Sequence, residues 1–236
     1  MQEVSIEAAI EFLHGHLSGF LKFDGERIAV KFIVASDGTL VMPVMEAMLL
    51  AMETVLELPN DDDDNMHLIV TLSRQSETGT FAHWCDRWRA YHGEPEDVRW
   101  ATVAIDSGRL AGWFLDDQAM MKANPLATDE SALLKQSNAQ PRAFLKALCV
   151  TAKVECEDPI AVGVDAGGID IRRMHDVGRL PFPLHLKMPR KCAHSLRARQ
   201  FPPICDSVFS RPHTRIIFYR RTTWTDHITI KNSRAV

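Results

Sequence analysis

Two arginines, a tyrosine and a histidine lie close together in one short segment of the chain. They are Arg87, Arg89, Tyr91 and His92. A guanidinium offers a planar fork of donors that matches a phosphate or a carboxylate, so the segment indicates a site for an anionic ligand. The alternative is an amphipathic helix with Trp88 and Tyr91 in the core and both arginines on its solvated face.

Two further histidines, His175 in a predicted turn and His194 near the last predicted helix, could ligate a haem iron or transfer protons. Spacing shows no partner for either, so ordinary surface histidines are the alternative. These two complete the set of candidate cofactor-binding residues; no catalytic residue and no metal site is predicted. The chain also lacks the glycine-rich nucleotide loops, the H-E-x-x-H pair and the G-x-S-x-G elbow.

Charge is distributed unevenly along the chain. The net charge is −4, yet residues 187–236 hold 11 Lys and Arg residues against Asp206 and Asp226. Basic residues interleaved with aromatics can bind single-stranded nucleic acid, but the abrupt change in composition favours a disordered extension, and no nucleic-acid partner is expected. Four consecutive aspartates, residues 61–64, lack the glycine and ligand spacing of a calcium loop and indicate a solvated loop.

Composition favours a globular cytoplasmic protein without a membrane partner. Of the 236 residues, 46% are hydrophobic, and no apolar run approaches the roughly 18 residues of a membrane span. The first ten residues lack the basic and apolar regions of a secretory signal. The five cysteines include no C-x-x-C pair, which favours reduced thiols.

The elements that must position these residues begin with a predicted helix over residues 5–21. Short apolar runs with turn signals then predict strands over residues 28–35, 40–50, 54–58, 67–72, 98–105 and 109–115. Residues 45–52, taken alone, could equally form a helix. A turn is expected at residues 106–108, and aromatic spacing predicts a helix over residues 80–92. Short strands with one inserted helix favour an antiparallel barrel.

A second unit follows from about residue 116. Helices are predicted over residues 128–137 and 141–152, then three short strands over residues 159–164, 169–173 and 177–181, and a last helix over residues 189–199. The fold class is therefore α+β, with a barrel followed by a small domain of two helices and three strands.

The strands of the second unit carry a family resemblance. The run V-G-V-D-A-G-G-I-D, residues 162–170, followed by R-L-P-F, residues 179–182, resembles the C-terminal domain of haem-iron-utilisation proteins. In that family the domain follows a split β-barrel of the pyridoxamine 5′-phosphate oxidase type, which binds FMN in many relatives and haem in this branch. The resemblance covers roughly residues 25–195.

The chain divides into an N-terminal helix (1–24), a split barrel (25–115), an α+β domain (116–199) and a basic tail (200–236), and the two middle segments are those that the resemblance covers. The resemblance further implies a homodimer with cofactor sites at the subunit interface. The leading hypothesis is a cofactor-binding protein of the FMN or haem split-barrel class, whose activity, if it has one, would be redox or haem utilisation. Whether the chain is an enzyme stays open.

Two departures from the family pattern favour an alternative. The family's histidine-containing stretch is replaced by S-N-A-Q-P, residues 137–141, and the aspartates of residues 61–64 occupy the expected phosphate end of the flavin site. Carboxylates there would repel a phosphate, so weak FMN binding or none is expected. The alternative is a non-catalytic binding or dimerisation module that has lost its cofactor and holds neither FMN nor haem.

Overall fold

The computed structural model describes residues 4–58, 65–96, 99–174 and 176–182. The aspartate run 61–64, the helix predicted over residues 189–199 and the basic tail lie outside these residues. The described part has a mixed α+β fold, with one barrel-like antiparallel sheet and a second, three-stranded sheet accompanied by helices. None of its helices combines the length and apolar character needed to cross a membrane.

The first helix is shorter than its apolar spacing predicts. Helix α1 spans Ile6–Gly15, and the Ser5 hydroxyl caps it by accepting a hydrogen bond from the Ala8 amide. The predicted extension to residue 21 is wrong, because strand β1 occupies Ser18–Phe23. Its side chains alternate between core and surface, and Gly19 passes so close to the adjacent strand that a Cβ would lie 2.4 Å from the Glu57 carbonyl oxygen.

The barrel contains eight strands within the described residues. After β1 these are β2 (Glu26–Lys31), β3 (Ile33–Val34), β4 (Leu40–Val44), β5 (Thr54–Leu58), β6 (Met66–Gln75), β7 (Arg99–Leu110) and β8 (Trp113–Asp116). Their order is β2-β1-β5-β6-β7-β4-β3, with β8 beside β7. Only Phe32 separates β2 from β3, so one stretch of chain supplies both end strands of the sheet, which forms a half-barrel around the main core.

Two details of the barrel correct the sequence expectations. The predicted strand over residues 40–50 ends at Val44, and helix α2 follows over Glu46–Leu50, which confirms the helical alternative for residues 45–52. The turn predicted at residues 106–108 is wrong because these residues continue β7, where Gly108 allows close packing against Leu68. The hairpin turn is instead at Ala111 and Gly112, whose φ angles of 50° and 83° fit the two-residue turn that matches strand twist.

Helix α3 covers Ala82–His92 and confirms the helix predicted from aromatic spacing. A short 3₁₀ turn, Gly79–Phe81, precedes it, and Gly93 ends it with a φ of 87°. Trp88 and Tyr91 are buried in the main core as the amphipathic interpretation expects, whereas Trp84 is only partly buried.

Within the described residues, the second unit has the two helices predicted over residues 128–137 and 141–152 and the three predicted strands, and it begins with a short helix that was not predicted. Its helices are α4 (Asp117–Met120), α5 (Glu130–Ala139) and α6 (Arg142–Thr151), and its strands are β9 (Ile160–Val164), β10 (Gly168–Arg172) and β11 (Val177–Pro181). The strands form an antiparallel meander in the order β11-β10-β9. A small core of its own comprises Leu145, Cys149, Ala161, Ile171 and Leu180.

Candidate functional site

Arg87, predicted to grip an anionic ligand or to face solvent, binds a carboxylate of the chain itself. Its Nη1 and Nη2 atoms donate to Glu130 at 2.6 and 2.7 Å, a bidentate ion pair between α3 and the first residue of α5. Nη2 also donates to the Tyr91 hydroxyl at 3.1 Å, since residues four apart share one face of α3. The solvated position expected for Arg87 is therefore wrong, because the ion pair draws it inward.

Tyr91 connects this pair to the three-stranded meander. Its buried hydroxyl donates to Asp170 Oδ2 at 3.0 Å, and Asp170 Oδ1 accepts from Arg179 Nη1 at 2.8 Å. Asp170 and Arg179 are directly opposite each other on β10 and β11, so the strand register itself brings the pair together.

The Arg179 guanidinium donates hydrogen bonds to three carboxylates. Besides Asp170, its Nη2 atom donates to Asp165 Oδ1 at 2.6 Å and its Nε atom to Glu11 Oε1 on α1 at 3.0 Å. His14, one turn further along α1, lies 2.8 Å from the other oxygen of Asp165. We call Glu11, His14, Asp165, Asp170 and Arg179 the Arg179 cluster.

Glycines of the meander make this close approach sterically feasible. A Cβ at Gly163 would lie 1.7 Å from the Tyr91 hydroxyl, and one at Gly167 would lie 2.7 Å from Arg179 Nη2. Asp165 Oδ1 accepts hydrogen bonds from the Gly167 and Gly168 amides, which fixes the turn between β9 and β10. The motif residues that carry the family resemblance thus build a buried ion network.

Burial and pairing perturb the titration of this network. Burial raises the pKa of Tyr91 well above 10.0 and also raises the pKa of Asp170. Burial alone would raise the pKa of Asp165, but hydrogen bonds and charge from His14 and Arg179 outweigh it and lower that pKa. Because the donors and acceptors of the network bind one another, its evident role is to join α1, α3 and α5 to the meander.

His92 and Trp88 fasten α3 to the bend between β2 and β3. Trp88 Nε1 donates to the Lys31 carbonyl at 3.0 Å, and His92 Nε2 lies 2.9 Å from the Phe32 carbonyl, which only accepts. His92 Nδ1 therefore carries the lone pair, and it is buried without a hydrogen-bond partner among the described residues. Burial lowers the pKa of His92 to about 4, so the ring is neutral at physiological pH.

The remaining candidates are separated from this arrangement. Arg89 lies on the other side of α3, where it pairs with Glu77, Glu94 and Asp86. Its side chain is only partly exposed, so the fully solvated position expected for it is wrong as well. His175 and His194 lie outside the described residues. Whether any of the six candidates contacts a cofactor stays a prediction; those on α3 each have a partner within the chain.

A second polar cluster lies on the outside of the barrel and was not anticipated. Glu57 is buried on β5, with Lys22 Nζ 2.5 Å and His67 Nδ1 3.3 Å from Oε1, and Arg27 Nε 3.0 Å from Oε2. Burial by itself would raise the pKa of Glu57, but hydrogen bonds from Lys22 and Arg27 hold it below 4.5. The Arg27 guanidinium also stacks on the Phe20 ring at 3.5 Å. We call Lys22, Arg27, Glu57 and His67 the Glu57 cluster.

The Glu57 cluster belongs to a broad sheet surface, which we call the outer face. Residues opposite each other in adjacent strands share a face, and the register defines two rows across six strands. One row comprises Ala29, Phe20, Glu57, His67, Arg109 and Phe114. The other comprises Arg27, Lys22, Val55, Ile69, Ser107 and Asp116. Apart from Glu57, every member is exposed or partly exposed.

A groove of about 490 Å³ lies at one end of the outer face. It lies beside the turn between β1 and β2 and is lined by Lys22, Arg27 and Val55 of the outer face, together with Phe23, Asp24, Gly25, Glu26, Met52 and Glu53. Its volume falls within the range of small-molecule sites, and its walls mix two cations with apolar side chains and three carboxylates.

The fold has relatives among solved structures. Protein Atu2129 of Agrobacterium tumefaciens, of unknown function, aligns with a TM-score of 0.62 and 16% identity over 75% of this chain and 87% of its own. Campylobacter jejuni ChuZ aligns with a TM-score of 0.38 and 16% identity over 48% of this chain and 58% of its own. No protein-family model and no curated protein matches the sequence. The first likeness shows a shared fold.

Proposed function

We propose that this chain is a homodimeric binding module whose interface is the outer face of its barrel. The observation that carries the proposal is the order of charges along the second row of that face. Arg27 and Lys22 lie at one end, Val55 and Ile69 in the middle, and Asp116 at the other end. Cations, apolar residues and an acid therefore follow one another across the sheet.

Such an order is self-complementary under a two-fold axis. In a two-fold dimer the same patch of each copy contacts the equivalent patch of its partner, rotated by 180°. An axis through the middle of the row places the apolar centres against each other and the cationic end of each copy against the acidic end of its partner. Ile69 and Phe114, which are exposed large apolar side chains, gain burial in that arrangement.

The test compares two substitutions at equally exposed apolar positions. Phe114 on the outer face is 77% exposed, and Met174, in the loop after β10, is 79% exposed. We expect Phe114→Asp to shift the sedimenting species from dimer to monomer, because it places an unpaired charge in the interface. Met174→Asp leaves the dimer intact. A monomeric native chain, or equal effects of the two substitutions, contradicts the proposal.

A second candidate function is cofactor binding, and the groove at the end of the outer face favours it. Lys22 and Arg27 offer cations to an FMN phosphate or a haem propionate, and Phe23 and Met52 offer apolar contacts to a ring system. Residues of α3 take no part in this version, because Arg87, Tyr91 and His92 are buried or partly buried and hydrogen-bonded within the chain. Lys22 and Arg27 are paired with Glu57, but nearly half of each side chain remains exposed to a ligand.

The absorption spectrum of the freshly purified protein, followed by titration with FMN and with haemin, tests this candidate. A flavin or Soret band that weakens in a Lys22→Met, Arg27→Met double variant supports the groove. Binding that survives this double variant but is lost in Arg89→Ala would move the site to α3. A blank spectrum and no binding of either compound leave the dimeric module without a cofactor.

A further inference from the structure

Two cysteines of the second unit face one small cavity. Cys149 lies in the last turn of α6 and Cys156 follows the helix, and both line a cavity of about 340 Å³. Cys149 belongs to the small core and is 1% exposed, while Cys156 packs against the same core and remains partly exposed. One thiol is therefore buried, and its neighbour is partly exposed and donates a hydrogen bond to the Arg172 carbonyl.

The backbone explains why the two cysteines line the same cavity. Lys153 has a φ of 57°, and the Val154 amide donates to the Cys149 carbonyl at 2.8 Å while the Lys153 amide donates to Val150. These two bonds and the left-handed residue form a Schellman motif, which ends α6 and turns the chain back along its last turn. Val154 and Cys156 are partly buried and Glu155 is exposed, so the returning chain directs Cys156 toward α6.

We propose that Cys149 and Cys156 form a reversible intramolecular disulfide by exchange with a low-molecular-weight disulfide. The Cys156 thiolate attacks one sulfur of the small disulfide, which forms a mixed disulfide and releases one small thiol. The Cys149 thiolate then attacks the Cys156 sulfur and releases the second small thiol. The protein loses two hydrogens to the two released thiols, and an excess of small thiol reverses both steps.

The charges around the cavity affect the speed of this exchange. Burial raises the pKa of both thiols above 9.0, and the positive charge of Arg173 acts against that rise at both. Most of each thiol is thus protonated near neutral pH, and the exchange accelerates as pH increases because the thiolate is the nucleophile. Because this exchange is slow at neutral pH, the disulfide forms only when oxidising conditions persist.

The experiment oxidises the native full-length chain with glutathione disulfide, blocks remaining thiols by alkylation and digests with trypsin. Cleavage after Lys146, Lys153 and Arg172 separates the two cysteines onto peptides 147–153 and 154–172. We expect these two peptides to be recovered as the main disulfide-linked species. Both should become alkylatable again after incubation with reduced glutathione.

Single variants and a third thiol provide the controls. Cys156→Ser should abolish the linked species and leave Cys149 free, whereas Cys149→Ser should stop the reaction at a glutathione adduct on Cys156. Cys85, which is fully buried in the main core, reports unfolding and should stay unmodified until denaturant is added. The proposal is overturned if the linked species is absent, if it forms only in denaturant, or if either cysteine pairs preferentially with Cys192 or Cys205.

Discussion

The Arg179 cluster and the Glu57 cluster are inverse arrangements of the same chemistry. In the first, one cation with a 6% exposed side chain is surrounded by three carboxylates. In the second, one carboxylate with a 6% exposed side chain is surrounded by three cationic or titratable groups, each nearly half exposed. Both clusters have a buried centre, but they differ in how much water reaches the partners.

Because of that difference, the Arg179 cluster is a structural contact, whereas the Glu57 cluster is a surface whose side chains can change partners. Water cannot fully hydrate Asp165 and Asp170 unless the meander opens, so the stability of the folded meander depends on the ion pairs that Arg179 makes with them. Lys22, Arg27 and His67 can turn toward solvent or toward another molecule if Glu57 releases them. We therefore expect the first cluster to determine folding stability and the second to determine association.

The largest expected effect is that of Arg179→Met. The substitution retains an unbranched side chain but leaves the Asp170 carboxylate buried without a cation and Asp165 with His14 as its remaining ion-pair partner. We expect the free energy of unfolding, measured by urea denaturation, to fall by about 3–5 kcal/mol.

Arg142 provides the matched control for this substitution. It pairs with Asp158 on the surface, where its side chain is 69% exposed. We expect Arg142→Met to cost less than about 1 kcal/mol, as exposed ion pairs usually do. Equal losses in the two variants would contradict the structural role of the Arg179 cluster.

Acid should weaken the Arg179 cluster through Asp165. Its pKa is lowered in the folded protein, so its contribution is complete above the ordinary value of 3.8 and disappears as pH falls toward the folded pKa. Asp170, whose pKa is raised, changes stability in the opposite direction. We expect the urea concentration at the unfolding midpoint to decrease once the pH is lowered below about 4. The Asp165→Asn variant, although less stable at neutral pH, should lose less stability than the wild type on acidification. Parallel curves for the two proteins would refute this assignment.

The smallest expected effect on stability is that of Glu57→Gln. Its partners are nearly half exposed and regain water when the carboxylate is neutralised, so we expect a loss below about 1 kcal/mol in the free energy of unfolding. Urea denaturation in low and high salt measures it, and added salt should reduce the difference from the wild type. A loss as large as that of Arg179→Met would show that the two clusters are equivalent.

Periodicity predicted those elements whose pattern depends on local sequence. Aromatic spacing predicted α3, and turn residues bounded the strands of the second unit. The helix predicted over residues 5–21 was too long because Leu13 and Leu17 keep helical spacing, whereas pairing of β1 with β2 and β5 converts the later part to a strand. Tertiary pairing overrode a local pattern there.

The clusters themselves could not be predicted from spacing. Glu130 is 43 residues from Arg87 along the chain, and Glu11 is 168 residues from Arg179. Glu57 gave one usable signal, a charged residue within the apolar run T-V-L-E-L of β5. Its partners, however, are set by the register of β1 and β6, which only the folded sheet defines.

The contact between Glu11 and Arg179 has a consequence for the order of synthesis. A ribosome releases the first helix long before residue 179. The ion pair between Glu11 and Arg179 therefore cannot form until most of the chain has been synthesised. Closing so long a segment is entropically costly and slows folding relative to local contacts. Ala9 and Leu13 of the first helix can pack against the barrel core earlier. Nascent chains that end before β11 should therefore protect the first helix from proteases only in part, and its full protection should arise late, when the last strand of the meander has left the exit tunnel.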